Sequence, residues 1–321
     1  MTWKNQTLSV QEILSLDKRF IFKSHFNFPN YLNIFKKLGW SITNLVYNEN
    51  SNNLSLCNIL IKSKYGIKFV YLPGGIEGQL NKKIINDLID YIKIDKRIVL
   101  ILINLHNCNE NIKIIPNSLI KIFNLHETRI VMKKELKLNS RSDYSKNWRH
   151  NLNRSSKYNF SIEKVCSPNL NEMMQLYDDM SKLKNYKINI TYKFLELIFK
   201  NLKDNLIYYE SRLNGRLIAF RCIFFSNNSA WDLLACSNSF SKKNYCTYKI
   251  MDKIFDDLII KKIKYFDFSG VDKKNNIGVY NFKKGTGSKE FIKYGEFVYS
   301  NIFILKYFFI LFFFLKRLFV K

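Results

Sequence analysis

Cysteine is scarce in this sequence, and its six copies follow no pattern. No two of them form a CxxC pair and no histidine stands near them at ligand spacing; they are Cys57, Cys108, Cys166, Cys222, Cys236 and Cys246. A disulfide framework or a zinc site would need cysteines, or cysteines and histidines, at regular spacings. The sequence therefore predicts no metal, no disulfide scaffold and a reducing, cytoplasmic compartment.

Histidine is rarer still. Its four copies are scattered along the chain as His25, His106, His126 and His150. Nucleophilic catalysis of the Ser/His/Asp or Cys/His kind needs a base within hydrogen-bond reach of the nucleophile. No such arrangement is recognisable here, so we predict structural roles for all four.

Acidic residues are half as common as basic ones. The 321 residues include 52 Lys/Arg and 26 Asp/Glu, which gives a formal net charge of +26. Such a charge repels itself and indicates an anionic partner, which is a nucleic acid, a phosphate-bearing substrate or an acidic membrane. Residues 1–20 also lack an apolar stretch of signal-peptide length, so secretion is not expected.

The chain does contain one arrangement of strands and helices that occurs twice. Residues 42–105 have the patterns of three strands, an amphipathic helix and a buried strand. Residues 205–268 have the same order, and Asn214-Gly215 marks a tight hairpin between the first two strands. The repetition predicts an α/β protein with mixed sheets and two tandem domains.

Residues 140–157, between the two halves, form a predicted basic helix. Trp148 and Leu152 give it a narrow apolar edge, while Lys146 and Arg149 lie on another face. Taken alone, this segment is typical of a solvated or nucleic-acid-binding helix.

Residues 264–288, KYFDFSGVDKKNNIGVYNFKKGTGS, hold most of the candidate site residues. A strand with aromatic residues around Asp267 is followed by a glycine-containing loop, and then by Lys283 and Lys284 against a glycine turn. Two lysines and free backbone N–H groups at such a turn suit a phosphate or a developing oxyanion. A solvated hairpin tip is the alternative interpretation.

The order FDFSG and then GVYNFKKGTG resembles the C-terminal signature of the FemABX family, which adds amino acids to peptidoglycan precursors. More distantly it resembles the GNAT N-acyltransferase superfamily. The basic segment resembles the family's "K-x-x-R" stretch, with Lys146 and Arg149 at the matching positions. Residues 71–75, YLPGG, resemble its first-domain "P-x-G-P" loop, although Ile76 stands where proline is usual.

The resemblance covers roughly residues 40–298. It implies two GNAT-like domains, residues 1–139 and 140–300, followed by a hydrophobic tail at 301–321. It also implies direct transfer of an activated acyl group to a primary amine, with no covalent enzyme intermediate and no tightly bound cofactor. That step needs a deprotonated amine, aligned substrates and a stabilised oxyanion.

The matching positions imply a site. Lys283 stands at the family's "F-K" position and is assigned to a substrate phosphate or carbonyl oxygen. Asp267 accepts a proton or orients a basic group, or is structural. The implied substrate-binding residues are Lys146, Arg149, Tyr280, Phe282, Lys284, Gly285 and Gly287.

The sequence leaves two interpretations open for several of these residues. Arg149 clamps a diphosphate or is a surface arginine. Tyr280 and Phe282 line the pocket or belong to the core. Gly285 and Gly287 are expected to act through their backbone N–H groups, and Lys284 is the second choice beside Lys283.

The resemblance implies aminoacyl-tRNA or acyl-CoA as the donor. GNAT enzymes that use acetyl-CoA usually carry R/Q-x-x-G-x-G/A, whereas residues 241–247, SKKNYCT, contain no glycine. This favours aminoacyl-tRNA. The implied acceptor is a nucleotide- or lipid-linked envelope precursor, either a peptidoglycan intermediate or an amino-sugar glycan. The rival hypothesis is a non-catalytic, basic nucleic-acid-binding protein.

Residues 301–321 form an apolar tail with basic residues around it. The longest uninterrupted apolar run, residues 307–315, has nine residues, and a membrane-spanning helix needs roughly 20. Lys306, Lys316, Arg317 and Lys321 bracket this run. The pattern predicts peripheral contact with the anionic inner surface of the cell membrane. A final strand followed by a core helix is the alternative.

Overall fold

The computed structural model describes residues 2–6, 24–49, 52–94, 97–106, 114–122, 130–184 and 188–319. The chain forms two compact units, one made of Met1–Arg129 with Ile292–Val320 and the other of Ile130–Phe291. Each unit contains one mixed β-sheet with helices against it. The predicted α/β class is confirmed.

The strands, in chain order, are β1 (Thr2–Asn5), β2 (Ser41–Glu49), β3 (Asn52–Lys64), β4 (Ile67–Leu72), β5 (Glu77–Gly78), β6 (Ile98–Leu105), β7 (Ile120–Ile122), β8 (Ile130–Glu135), β9 (Ser161–Lys164), β10 (Leu206–Leu213), β11 (Arg216–Ser226), β12 (Ser229–Ser237), β13 (Tyr265–Val271), β14 (Lys289–Ile292) and β15 (Gly295–Ser300). The helices are α1 (Pro29–Lys37), α2 (Lys82–Lys93), α3 (Lys146–Ser155), α4 (Leu170–Lys184), α5 (Tyr192–Leu202), α6 (Ser239–Lys243), α7 (Cys246–Ile260), α8 (Ile277–Gly285) and α9 (Phe303–Phe319).

The sheet of the first unit has the order β1-β2-β3-β4-β6-β15-β7, with β5 beside β3. Helix α2 begins after Asn81, whose Oδ1 accepts from the N–H of Ile84 (2.9 Å), and its apolar stripe packs on one face of the sheet. Helix α9 lies on the opposite face. There its Leu305, Phe309 and Ile310 pack against a cluster formed by Leu100, Leu102, Ile122 and Val298.

The sheet of the second unit has the order β14-β8-β13-β12-β11-β10-β9. Helix α7 packs on one face, where Phe255 contacts Phe266 and Phe268 of β13 edge-to-face. Helix α4 packs against β11 and β12, and its Tyr177 contacts Phe220 with ring centroids 5.3 Å apart. The sheet is therefore covered on both faces.

The predicted repetition of one plan is present. Three meander strands, a helix and a parallel strand occur as β2-β3-β4-α2-β6 and as β10-β11-β12-α7-β13. The two copies differ in the parallel pair. Strands β4 and β6 pair from Ile67↔Ile98 to Leu72↔Ile103, whereas β12 and β13 pair only from Ser229↔Tyr265 to Trp231↔Asp267.

The unit boundaries differ from the predicted domains, 1–139 and 140–300. Strand β8 was expected to belong to the first domain, but it pairs antiparallel with β13 in the second sheet. Strand β15 was expected in the second domain, but it pairs with β6 in the first sheet. A strand joins the sheet whose edge can bond its backbone, and distance along the sequence does not decide that. The first unit is therefore discontinuous.

Candidate active site

Strands β12 and β13 separate beyond Trp231 and Asp267, and backbone distortions surround the point of separation. Ser269 of β13 has φ +63°, a left-handed conformation that is uncommon outside glycine. Its N–H donates to Oδ1 of Asp267 (2.7 Å) and its hydroxyl donates to the backbone oxygen of Asp232 (3.2 Å). The register of β13 against β8 also shifts between Asp267 and Gly270. Such bulges often redirect side chains beside active sites.

The ammonium group of Lys283 reaches this point from the last turn of α8. Its Nζ donates to the backbone oxygens of Phe268 (2.5 Å) and Gly270 (2.8 Å), and the residue is only 6% exposed. Burial lowers the pKa of Lys283 to about 8, although Asp232 nearby favours the charged form. Two of the three donors of the ammonium are thus used by β13.

Asp232 and Arg221 form a charged pair close to Lys283. Oδ1 of Asp232 lies 3.6 Å from Nε of Arg221, and both side chains are largely buried. Burial raises the pKa of Asp232, while Arg221 and Lys283 oppose that rise. Within the described residues, Oδ1 of Asp232 has no hydrogen-bond partner. A carboxylate in this setting is well suited to accept a proton.

The guanidinium of Arg221 is held by its surroundings. It donates to Sδ of Met251 (3.0 Å) and its Cζ lies 5.2 Å from the ring centroid of Phe282. Phe282 in turn packs against Trp148 and Tyr248, with centroid distances of 6.1 and 5.0 Å. Phe282 thus belongs to an aromatic cluster and also borders the charged group.

Asp267 is engaged on both carboxylate oxygens. Oδ1 accepts from the N–H of Ser269, and Oδ2 lies 3.5 Å from Nζ of Lys133 on the neighbouring strand β8. These contacts hold the turn at Ser269. Asp267 thus lies beside the separated strands, with both of its oxygens engaged. Oδ1 of Asp232, by contrast, has no hydrogen-bond partner among the described residues.

Tyr280, Lys283 and Lys284 lie in helix α8, where the sequence predicted a glycine-containing loop followed by two lysines against a glycine turn. Tyr280 and Lys283 are three residues apart, and helical spacing buries both. Lys284 is exposed and its Nζ lies 5.5 Å from the Tyr280 ring centroid. The Tyr280 hydroxyl donates to Glu290 (2.6 Å). Lys283 is therefore buried in the last turn of α8, just before the turn at Thr286 and Gly287, and does not lie at a solvated hairpin tip.

The two glycines after Lys284 allow close packing. A Cβ on Gly285 would lie 2.8 Å from Cδ1 of Trp148, and the Gly285 oxygen accepts from the N–H of Ser145 (2.8 Å). Gly287 has φ +84° and its N–H donates to the oxygen of Lys284 (3.0 Å). That N–H is already used, so Gly287 is not the free backbone donor that the sequence predicted.

Lys146 and Arg149 lie apart from the buried charges. Both side chains are exposed on α3, which begins after Ser145, whose hydroxyl accepts from the N–H of Trp148 (3.2 Å). Among the described residues, no hydrogen bond or ion pair joins either of them to Lys283. The helix that carries them reaches the site through Trp148, on its buried face.

Sequence reasoning missed Arg221 and Asp232. Both stand alone as charged residues within predicted strands that are otherwise apolar, FRC in β11 and WDL in β12. Charged residues are almost never buried unless they are paired. Two lone opposite charges on neighbouring apolar strands were the available signal.

The described residues contain no group of three or more His, Cys, Asp or Glu that could hold a metal ion. His106 contacts the oxygen of Pro73 through Nε2 (2.8 Å). The described cysteines Cys57, Cys166, Cys222, Cys236 and Cys246 are free. His126 and Cys108 lie outside the described residues.

Gly285→Ala should destabilise the second unit by about 1–3 kcal/mol, because the added methyl group overlaps the buried Trp148 ring. Gly278→Ala is the matched control in the same helix, since nothing lies within 4 Å of its added Cβ. Reduced backbone freedom of the unfolded chain should make that control about 0.4–1 kcal/mol more stable. Urea unfolding measures both, and equal effects would contradict the packing assignment.

The lowered pKa of Lys283 predicts a pH dependence of stability. Between about 8 and the ordinary value of 10.5 the unfolded chain binds the proton that the folded chain has lost. The free energy of unfolding should therefore gain a rising contribution as the pH increases through this window. Lys283→Met should remove that contribution, and Lys284→Met, at the exposed neighbour, should keep it. Parallel stability curves for wild type and Lys283→Met would refute the assignment.

No family model matches the sequence, and no curated protein matches it. Solved structures do match. A structure described as FemX has a TM-score of 0.70 at 13% identity, covering 94% of this chain and 97% of that one. The C-terminal domain of a putative lysylphosphatidylglycerol synthetase from Agrobacterium fabrum has a TM-score of 0.52 at 12% identity, covering 93% and 94%.

A tandem GNAT protein from the clavulanic acid biosynthesis pathway also matches. Its TM-score is 0.50 at 6% identity, and the match covers 81% of this chain and 83% of that one. At these identities the likeness concerns the fold. The chain therefore has a FemABX/GNAT-type fold.

Proposed function

We propose that this protein is an N-acyltransferase that transfers an aminoacyl or acyl group to a primary amine of a cell-envelope precursor. The observation that carries the proposal is the early separation of β12 and β13 around buried Asp232, Arg221 and Lys283. The first unit, built on the same plan, has no such separation within its six paired positions. The fold shared with FemX agrees with this chemistry.

Asp232 is the proposed proton acceptor. An amine must lose a proton before or during attack on the acyl carbon, and a carboxylate with a raised pKa takes that proton more readily. Arg221 keeps the carboxylate oriented through its contact at 3.6 Å. Asp267 then has the supporting role of fixing the turn at Ser269.

Lys283 is the proposed electrostatic group. Its ammonium is fixed by two backbone oxygens and has one further N–H for an acyl oxygen or a substrate phosphate. Donors that are already oriented stabilise a developing oxyanion without reorganisation during the reaction. Lys146, Arg149 and Lys284, which are exposed, are proposed to contact more distant phosphates of the substrates.

The proposed donor is aminoacyl-tRNA, with acyl-CoA as the alternative. Residues 239–245 support this choice, because they form the short helix α6 and a left-handed Tyr245 (φ +59°) where a CoA-binding GNAT enzyme has a glycine-rich loop. The Tyr245 oxygen accepts from the N–H of Tyr248 (3.0 Å), which uses one donor of the first turn of α7. A tyrosine side chain thus stands at a position where a glycine-rich loop would carry none.

The proposal is tested by incubating the purified full chain with aminoacylated tRNA, or with acyl-CoA, and an amine-bearing envelope precursor. A new amide detected by mass spectrometry is the expected result, and its mass identifies the transferred group. If folded protein shows no turnover with any such pair of substrates, the proposal is wrong. Tight binding to arbitrary RNA without turnover would favour the nucleic-acid-binding rival instead.

Asp232→Asn should lower the rate of amide formation by about 10²–10⁴-fold, the usual contribution of a general base, while the fold is kept. Asp178→Asn, on the exposed side of α4, is the control and should react like wild type. Single-turnover rates across pH provide the measurement. An Asp232→Asn variant that reacts at the wild-type rate would remove Asp232 from the mechanism.

A further inference from the structure

The outer face of α9 is unusually apolar for a helix of a folded unit. The inner face of this helix carries Leu305, Phe309 and Ile310, which pack on the first sheet. Its outward residues are between 41% and 67% exposed; they are Phe303, Ile304, Tyr307, Phe308, Leu311, Phe312, Phe314 and Leu315. An exposed apolar patch of this kind marks an interaction surface.

Another exposed aromatic residue, Tyr65, lies at the end of the sheet where α9 begins. Lys64 pairs with Ile67, so the β3–β4 turn closes at Tyr65 and Gly66. Asn301, just before α9, donates to the oxygen of Arg97 and accepts from the N–H of Val99, which places it at the same end. Tyr65 is 87% exposed there.

Lysines surround these aromatic residues. Nζ of Lys306 lies 4.9 Å from the Phe303 ring centroid, and Nζ of Lys64 lies 4.7 Å from that of Tyr65. Nζ of Lys62 lies 4.6 Å from the Trp40 ring centroid. Three of the segments that meet at this end, residues 36–41, 60–69 and 300–306, contain six lysines and no acidic residue.

A continuous row of rings links the end of the sheet to α9. Trp40 contacts Phe69, and Phe69 contacts Phe309, with centroid distances of 6.0 and 6.1 Å. The buried side of α9 is thereby fixed on the sheet. The exposed side of α9 therefore has a fixed orientation relative to the first sheet.

We propose that α9 and the β3–β4 turn together form a docking surface for an anionic lipid bilayer. The exposed rings and aliphatic side chains enter the interface, and the lysines reach the acidic headgroups. No helix among the described residues has the length and apolar content to span a membrane. Because the inner face of α9 is packed on the first sheet, the proposed bound geometry is a helix lying in the plane of the interface. The side chains of Lys316 and Arg317, and Lys321 itself, lie outside the described residues.

The charges favour a bilayer over a second copy of this chain as the occupant. A symmetric dimer through this face would bring the lysine-rich segments of both copies together, and residues 36–41, 60–69 and 300–306 supply no carboxylate to offset that charge. Like charges brought together in this way oppose association. An acidic lipid surface supplies the opposite charge across the whole face.

The test measures co-sedimentation of the full chain with vesicles of phosphatidylcholine alone and of phosphatidylcholine mixed with phosphatidylglycerol. Binding is expected only to the anionic vesicles, and it should weaken between about 0.1 M and about 1 M salt as screening increases. A triple variant, Phe308→Ser with Leu311→Ser and Phe312→Ser, should bind at least about ten-fold more weakly. A double variant, Lys62→Gln with Lys64→Gln, should lose roughly five-fold per lysine.

Matched controls lie in the second unit. Leu138→Ser with Ile260→Ser removes exposed apolar side chains, and Lys157→Gln with Lys203→Gln removes exposed lysines. Both controls should bind like wild type, and circular dichroism should show all variants folded. The proposal is overturned if folded wild type ignores anionic vesicles, if the α9 variant binds unchanged, or if the face mediates dimers without vesicle binding. None of these readouts depends on acyl transfer.

Discussion

The second unit depends on a buried ammonium group. Where β12 leaves β13, backbone oxygens of β13 lose the neighbour that would have bonded them, and an unsatisfied buried carbonyl is costly. Lys283 meets this need with two charge-assisted hydrogen bonds. The ammonium itself would be costly to bury without those oxygens and without Asp232 nearby. The separated strands and the lysine therefore stabilise one another.

This mutual dependence explains the surrounding geometry. Helix α8 must end over β13 for its last turn to deliver Lys283, and Gly285 lets that end approach Trp148. Thr286 and Ser288 both donate hydroxyl hydrogen bonds to the Lys283 oxygen, which secures the end of the helix. The motif FKKGTGS is thus a packing motif as well as a candidate chemical one.

The sequence predicted the elements well and their partners poorly. Apolar periodicity predicted α2 and α7, and β-branched content predicted β6, because each pattern depends on the residues of one element. Helix α8 was missed, since Gly278 and Gly285 at its two ends resemble turn signals. The assignment of β8 and β15 failed for another reason. Neither strand encodes which sheet edge it will join.

The residues of the candidate site were also predicted only in part. Lys283 was found because it lies in a contiguous motif that resembles a family signature. Arg221 and Asp232 were missed, because they come from different strands and acquire meaning only when β11 and β12 pair with a register shift near them. A lone charge in an apolar strand indicates a buried partner, but it does not say where that partner is in the sequence.

The return of β15 to the first sheet has a consequence for synthesis on the ribosome. Strand β15 pairs with both β6 and β7, so the first unit lacks an interior strand until Gly295–Ser300 has been translated. Every strand of the second unit precedes β15 in the chain. Until β15 has been made, one edge of β6 has no strand beside it. All strands of the second unit are thus available before the first sheet can be completed, and during that interval the edge of β6 that β15 will cover is open to wrong pairing.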